Sequence, residues 1–188
     1  MRTRAVVALA TLLATLAGPA FAQPQPVRAR GAMVVSQNEL ASEAGAQALR
    51  DGGTAIDAAI ATAFVLAVTH PTAGNIGGGG FIVYRPAAGT AEAYDFREMA
   101  PAAATPTMFL EGGKYSAKIH HNSSLSVGVP GTVAGLYLAW KEHGKLPWKR
   151  LVEPAIGLAR DGFRVTDGLS RSLGSVLKSM APYPVSVA

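Results

Sequence analysis

Cysteine is absent from all 188 residues of the sequence. Disulfide bonds, thiolate nucleophiles and metal sites ligated by cysteine are therefore excluded. Aromatic residues (7%) and charged residues (15%) are also few, whereas hydrophobic residues make up 49%. A chain of this length and composition can bury a core, and it is short enough to form a single domain.

The N-terminus carries an apolar run that is too short to span a membrane. This run of 14 residues, 5–18, follows Arg2 and Arg4 and precedes an alanine pattern typical of signal-peptidase cleavage. A spanning helix needs about 20 apolar residues. We therefore predict a cleaved signal peptide over 1–22 and an extended tail over 23–33. The mature protein would be periplasmic or secreted, with no membrane contact after cleavage.

The sequence also lacks a concentrated patch of basic residues. Its formal net charge is +5, and loss of Arg2 and Arg4 with the signal peptide would lower it to +3. The remaining lysines and arginines are scattered, and only Lys149 and Arg150 are adjacent. Because nucleic-acid binding normally needs a basic stripe with interleaved aromatics, we expect no nucleic-acid partner.

The centre of the sequence combines four consecutive glycines, at 77–80, with two β-prone segments. Glycines let the backbone adopt conformations closed to other residues, and they let neighbouring segments approach closely. The apolar run 81–84 that follows predicts a buried strand. Residues 91–98 predict its returning partner, after a turn at 86–90. We expect a β-hairpin here.

Helical periodicity predicts five helices around this hairpin, preceded by a short strand at Val34 and Val35. Ser36 with Glu39, and Thr54 with Asp57, have the spacing of a capping box, in which two side chains satisfy free backbone N–H groups at a helix start. The predicted helices cover about 40–49, 55–69, 132–143, 149–161 and 169–180.

Arg97 is the one residue whose own chemistry suggests a binding site. It lies between Phe96 and Glu98 on a mostly apolar strand, where a guanidinium needs a carboxylate partner. Two interpretations are open. The carboxylate belongs to a bound ligand, or Arg97 forms an internal salt bridge with Asp95 or Glu98.

Other patterns in the sequence do not predict a catalytic or metal site. The glycines at 77–80 lead into a strand without a following Lys-Ser/Thr, so they do not form a phosphate-binding loop. The Gly-x-Ser-x-Gly pattern of a serine nucleophile does not occur. His120 and His121 lack the spacing of metal-binding motifs, and we predict that they lie in a solvated loop without a metal.

Six motifs occur in order along the chain: Leu-Ala-Ser at 40–42, Gly-Gly-Thr-Ala-Ile-Asp-Ala-Ala at 52–59, Gly-Asn-Ile-Gly-Gly-Gly-Gly-Phe at 74–81, Asp-Phe-Arg-Glu-Met-Ala-Pro at 95–101, Val-Pro-Gly-Thr at 129–132 and Pro-Ala-Ile-Gly-Leu-Ala at 154–159. Together they resemble the N-terminal, large-subunit part of the gamma-glutamyltranspeptidase (glutathione hydrolase) family. The resemblance covers nearly all of 34–163. Thr54 is a small departure, since many members carry asparagine there, but both residues cap helices.

The resemblance implies an α+β fold, the αββα sandwich of an N-terminal-nucleophile hydrolase, with residues 34–188 forming only its N-terminal part. The family cleaves γ-glutamyl amides such as glutathione through a γ-glutamyl-threonine intermediate, and passes the acyl group to water, amino acids or dipeptides. Its precursor cuts itself, and the threonine nucleophile then heads the small subunit. The resemblance thus implies the small subunit as a partner, no catalytic residue in this chain, and no cofactor or metal.

By the same resemblance, Arg97 falls on the arginine that grips the α-carboxylate of the γ-glutamyl group. A bidentate guanidinium suits a planar carboxylate, which agrees with the residue's own chemistry. Glu98 would be a neighbour that holds Arg97 in place. We expect the 188-residue chain to be inactive by itself, and to leave sheet edges and apolar helix faces uncovered.

Two other functions stay open. A related β-lactam (cephalosporin) acylase shares the fold and much of this half, although Arg97 favours a γ-glutamyl substrate that bears an α-carboxylate. A non-enzymatic exported binding module would instead use Arg97 to bind acidic metabolites.

Overall fold

A computed structural model describes residues 26–183. The predicted signal peptide, 1–22, lies outside the described residues. The chain divides into two units after Gly31. Residues 26–31 contain no helix or strand, and the unit that begins at Ala32 carries all the described secondary structure. Within 26–183, no helix has the length and apolar character needed to cross a membrane.

The second unit combines six α-helices with two small antiparallel hairpins among the described residues. The helices are α1 (Glu39–Arg50), α2 (Ala55–Thr69), α3 (Ala117–Asn122), α4 (Thr132–His143), α5 (Trp148–Asp161) and α6 (Asp167–Met180). The strands are β1 (Phe81–Tyr84), β2 (Glu92–Asp95), β3 (Leu110–Glu111) and β4 (Lys114–Tyr115), and a short 3-10 helix covers Ser124–Ser126. This mixed content agrees with the predicted α+β class.

Helix α2 forms the centre of the core. Its apolar side chains are buried almost all round, and α1, α4 and α5 pack against it. The Thr54–Asp57 capping box is present: the Thr54 hydroxyl accepts the Asp57 N–H, and the Asp57 carboxylate accepts the Thr54 N–H at 2.7 Å. The predicted range of α2 is confirmed at both ends, since His70 caps its C-terminus.

Helix α1 begins differently from the prediction. Asn38 is its N-cap, and the Asn38 side chain accepts N–H bonds from Leu40 at 3.0 Å and Ala41 at 3.4 Å. The Ser36 hydroxyl instead donates to the Asn38 carbonyl at 2.8 Å. The capping box predicted at Ser36 is therefore wrong, because asparagine is an equally strong N-cap and lies directly before the helix. The strand predicted just before Ser36 is also absent.

The hairpin of β1 and β2 is confirmed, with Phe81 opposite Asp95 and Tyr84 opposite Glu92. The prediction that β1 is buried is wrong for half of it. Ile82 and Tyr84 pack against the core, whereas Phe81 and Val83 are 64% and 79% exposed. Alternate side chains of a strand point to opposite faces. Among the described residues, only one face of this hairpin is covered.

Helices α5 and α6 differ in burial, since Leu151 and Ala155 of α5 lie in the core. Helix α5 starts at Trp148 and runs through Pro154 to Asp161, so Pro154 neither delays nor ends it, and Gly162 terminates it with a φ of 82°. Helix α6 has no buried residue, and its predicted apolar face carries exposed side chains such as Leu173 and Leu177. Within 26–183, the expectation of uncovered apolar helix faces thus holds.

Candidate functional site

Arg97 lies two residues beyond the end of β2, in a segment that is fixed on both sides. The Phe96 N–H donates to the Gly80 carbonyl at 3.1 Å. Met99 pairs with Val129 in an isolated bridge, with N–O distances of 3.3 and 2.8 Å. The backbone around Arg97 is therefore held between the glycine segment that precedes β1 and the segment that precedes α4.

The glycine segment (residues 77–80) packs directly against the backbone of the arginine segment (residues 96–98). A β-carbon at Gly79 would lie 2.7 Å from Arg97 Cα, and one at Gly80 would lie 2.9 Å from the Phe96 ring. None of the four glycines at 77–80 has a positive φ. The close approach that glycines allow is present at Gly79 and Gly80, whereas none of the four glycines adopts the left-handed φ that they also allow.

Three further glycines contact the same segment from the side of α4. A β-carbon at Gly128 would lie 3.1 Å from Glu98 Cγ, while one at Gly131 or Gly135 would overlap the Phe96 carbonyl or ring. The sequence motif at 129–132 contains Gly131, whereas Gly128 and Gly135 lie outside the six motifs. The signal available for Gly135 is a glycine inside a helix, at a position that faces the core.

A polar pair joins the glycine segment to the start of α4. The Asn75 side-chain oxygen accepts the Gly78 N–H at 3.0 Å and the Thr132 hydroxyl at 2.5 Å. The Gly78 carbonyl in turn accepts N–H bonds from Gly131 at 2.8 Å and Thr132 at 3.1 Å. Thr132 is only 6% exposed. Thr132 begins α4 as predicted, but its link to Asn75 was not predicted.

The Arg97 side chain is exposed and has no internal ion pair in the described part of the chain. No carboxylate of residues 26–183 lies within 4.0 Å of its guanidinium. The Asp95 carboxylate accepts the backbone N–H of Arg97 at 3.0 Å instead. The internal salt bridge with Asp95 or Glu98 is therefore not formed, and Glu98 does not hold the guanidinium. The side chain is left available to a ligand.

A second polar cluster ties the hairpin to the end of α4. The Tyr94 hydroxyl lies 2.6 Å from the Glu142 carboxylate and 3.1 Å from that of Glu92, and His143 Nε2 lies 2.7 Å from Glu92. Burial and the two carboxylates raise the pKa of Tyr94 far above its usual value. Hydrogen bonds from His143 and Tyr94 lower the pKa of Glu92. Two carboxylates and an imidazole could ligate a cation, but here they bond to one another and to Tyr94.

The prediction of a solvated loop at the adjacent histidines is wrong about the backbone conformation. His120 and His121 lie in α3, and their rings stack with centroids 4.4 Å apart. The Tyr115 hydroxyl lies 2.8 Å from His120 Nδ1 and 3.3 Å from His121 Nε2. Ser116 explains the difference, because its side chain caps the N-terminus of α3.

Comparisons with known proteins agree with this architecture. The family model described as Gamma-glutamyltranspeptidase matches residues 41–187. The chain belongs to the gamma-glutamyltranspeptidase family. The resemblance carried by the six sequence motifs is thereby confirmed.

Curated relatives carry glutathione hydrolase names. The Glutathione hydrolase proenzyme of Escherichia coli strain K12 is 48% identical over 158 residues, which are 84% of this chain and 27% of that protein. The Glutathione hydrolase proenzyme of Pseudomonas aeruginosa is 49% identical over 139 residues, 73% of this chain and 25% of that protein. The chain spans about a quarter of the length of these relatives.

A solved structure extends the match to three dimensions. The gamma-glutamyltranspeptidase of Helicobacter pylori superposes with a TM-score of 0.82 at 42% identity, over 86% of this chain and 47% of that chain. The predicted fold, part of an α+β sandwich of the N-terminal-nucleophile hydrolase type, is confirmed for this chain.

Proposed function

We propose that the protein containing this chain cleaves γ-glutamyl amides such as glutathione and transfers the γ-glutamyl group to water, an amino acid or a dipeptide. The observation that carries this proposal is the state of Arg97. Its backbone is tightly packed by glycines, while its exposed guanidinium has no carboxylate partner among residues 26–183. Membership of the gamma-glutamyltranspeptidase family supports the same reaction.

Arg97 binds the α-carboxylate of the γ-glutamyl group in this proposal. A guanidinium can donate two parallel N–H bonds to a carboxylate. This bidentate pair fixes the orientation of the substrate and also increases its affinity. A fixed α-carboxylate places the γ-carbonyl at a defined position relative to a nucleophile. The close packing at Gly79 and Gly80 limits movement of the backbone that carries Arg97.

The nucleophile belongs, in this proposal, to the small subunit of the same precursor. It is the N-terminal threonine of that subunit, activated by its own α-amine. No threonine of this chain is assigned the role, and the chain contributes substrate binding rather than bond cleavage. The protein is periplasmic or secreted, in keeping with the signal peptide predicted over 1–22.

Kinetics of the full-length precursor, matured and assayed with a γ-glutamyl anilide, test the role of Arg97. We expect Arg97→Lys to raise KM by about 10- to 100-fold, because a single ammonium cannot replace a bidentate, charge-assisted pair. Arg171→Lys is the matched control, since Arg171 lies on α6 and pairs with Asp167 at 2.6 Å. An Arg97→Lys enzyme with the wild-type KM contradicts the assignment.

Assays of cephalosporin hydrolysis and glutamate binding, beside the γ-glutamyl anilide assay, distinguish the two other functions. A protein that hydrolysed the side-chain amide of a cephalosporin but not the γ-glutamyl anilide would be an acylase. A matured protein that bound glutamate through Arg97 and cleaved neither amide would be a binding module. Either result overturns the proposed activity.

A further inference from the structure

We propose that Asn75 and Thr132 act as a positioning pair, which holds the glycine segment against Arg97 and so maintains selectivity for substrates with an α-carboxylate. The inference rests on the proposed function of Arg97. Neither residue is proposed to touch the substrate. Their effect would pass through the backbone of residues 78–80.

The two residues are 57 positions apart in sequence and are joined by a partly buried hydrogen bond. The Thr132 hydroxyl donates to Asn75 Oδ1 at 2.5 Å, and the Asn75 side-chain amide donates to the Ala73 carbonyl at 3.2 Å. Asn75 is thus fixed at both ends of its side chain. Thr132 is the first residue of α4, a helix that packs on the central helix α2.

The pair forms hydrogen bonds with both the N–H and the carbonyl of Gly78. Asn75 Oδ1 accepts the Gly78 N–H at 3.0 Å, while the Gly78 carbonyl accepts N–H bonds from Gly131 and Thr132 at 2.8 and 3.1 Å. Gly78 is thereby tied to the start of α4 in both directions. Because a hydrogen bond is directional, this arrangement fixes orientation as well as separation.

The fixed glycine is followed directly by the two that contact the arginine segment. Gly79 lies against the Cα of Arg97 and the backbone of Glu98, and Gly80 lies against the Phe96 ring and accepts the Phe96 N–H. A shift of Gly78 therefore displaces the surface on which the Arg97 backbone rests. A displacement of about 1 Å in a substrate-positioning group can lower a rate by as much as about 100-fold.

A ratio of two substrates measures this effect specifically. The probes are γ-glutamyl anilide and 4-aminobutanoyl anilide, which lacks only the α-carboxylate. The measured quantity is the ratio of their kcat/KM values on matured full-length enzyme. Arg97→Met is the reference variant, and in the proposed function it collapses this ratio towards one.

Three further variants test the pair. We expect Thr132→Val to lower the ratio at least about fivefold, mainly through KM for the γ-glutamyl anilide. Thr132→Ser keeps the hydroxyl and should restore the ratio to within about twofold of wild type. Thr69→Val is the matched control, because Thr69 is also buried but its hydroxyl donates to the Val65 carbonyl within α2.

The measured ratios test the positioning pair and the proposed role of Arg97 separately. A normal ratio in Thr132→Val, with a collapsed ratio in Arg97→Met, overturns the positioning pair and leaves the proposed function intact. A normal ratio in Arg97→Met overturns the proposed role of Arg97 itself. Should Thr132→Val not fold, the ratio is measured on Asn75→Ala instead, and the same decrease is expected. Failure of both variants to fold, beside a normal Thr69→Val, also overturns the inference, because the pair would then be a folding element.

Discussion

Gly79 lies directly against the backbone of Arg97, so that a β-carbon at position 79 would stand 2.7 Å from the Arg97 Cα. The same β-carbon would meet the backbone nitrogen of Glu98. Backbone atoms cannot turn aside as a flexible side chain can. The position therefore accepts glycine alone unless one of the two segments moves, and this makes the contact a direct link between the glycine segment and the proposed carboxylate-binding residue.

Gly79→Ala should impair substrate binding more than Gly77→Ala does. We expect about a tenfold rise in KM for a γ-glutamyl anilide, because the added methyl group displaces the Arg97 backbone. Gly77 is the matched control, since a β-carbon there would have no neighbour within 4 Å and its φ is not positive. Steady-state kinetics of both variants provide the measurement, and equal KM values would contradict the argument.

Gly135→Ala in α4 should destabilise the protein, although alanine is the better helix former. A β-carbon at Gly135 would overlap the Phe96 ring, and overpacking of this kind costs about 1–3 kcal/mol. Gly157 in α5 gives the matched comparison, because a β-carbon there would meet nothing within 4 Å. Gly157→Ala should stabilise by up to about 1 kcal/mol. Calorimetric melting temperatures that move in the same direction for both variants would refute the distinction.

The parts of the fold that depend on neighbouring residues in sequence could be predicted. The bounds of α2 follow from the Thr54–Asp57 capping box and from Pro71, and the β1–β2 hairpin follows from its composition. The start of α1 was misassigned because two capping residues, Ser36 and Asn38, compete within three positions. Local signals identify a helix more reliably than its first residue.

Features that depend on distant residues could not be predicted in the same way. The contact of Gly135 with Phe96 and the hydrogen bond of Asn75 with Thr132 join segments far apart in sequence. The exposed face of β1 has a similar origin. Its apolar composition indicates burial, but only one of its faces is covered by residues 26–183. Arg97 stands out in the sequence by its charge, whereas glycines such as Gly135 become neighbours of the arginine segment only in the folded chain.

Asp57→Ala should be strongly destabilising. Asp57 is fully buried, and its carboxylate accepts backbone N–H bonds from Thr54 at 2.7 Å, Lys145 at 3.0 Å and Leu146 at 3.4 Å. It thus joins the start of α2 to the connection between α4 and α5. Removal of the carboxylate leaves three N–H groups without this acceptor, each at a cost of about 1–3 kcal/mol when buried.

We therefore expect Asp57→Ala to lower the unfolding free energy by at least about 3 kcal/mol, measured by calorimetry or urea denaturation. Glu39→Ala is the control, because Glu39 is an exposed acid in the first turn of α1. Equal losses in the two variants would mean that the link from Asp57 to Lys145 and Leu146 adds nothing to stability.

Tyr94→Phe should reveal a stabilising interaction that is present at neutral pH and lost at alkaline pH. The Tyr94 hydroxyl links β2 to Glu142 on α4 at 2.6 Å, so its removal should cost about 0.5–1.5 kcal/mol at neutral pH. Burial and the carboxylates of Glu142 and Glu92 raise the pKa of Tyr94 above its ordinary value of 10.0. The unfolded chain therefore ionises this tyrosine more readily than the folded chain does.

The sign of the pH dependence follows from this raised pKa. The stability that Tyr94 contributes is fully present below pH 10 and is lost as the pH rises further, because ionisation then favours the unfolded state. The melting temperature of the wild type should thus fall more steeply above pH 10 than that of Tyr94→Phe. Tyr137→Phe, at an exposed position of α4, should instead follow the wild-type profile. Parallel profiles for wild type and Tyr94→Phe between pH 7 and about 11 would show that the hydroxyl is not held by these carboxylates in solution.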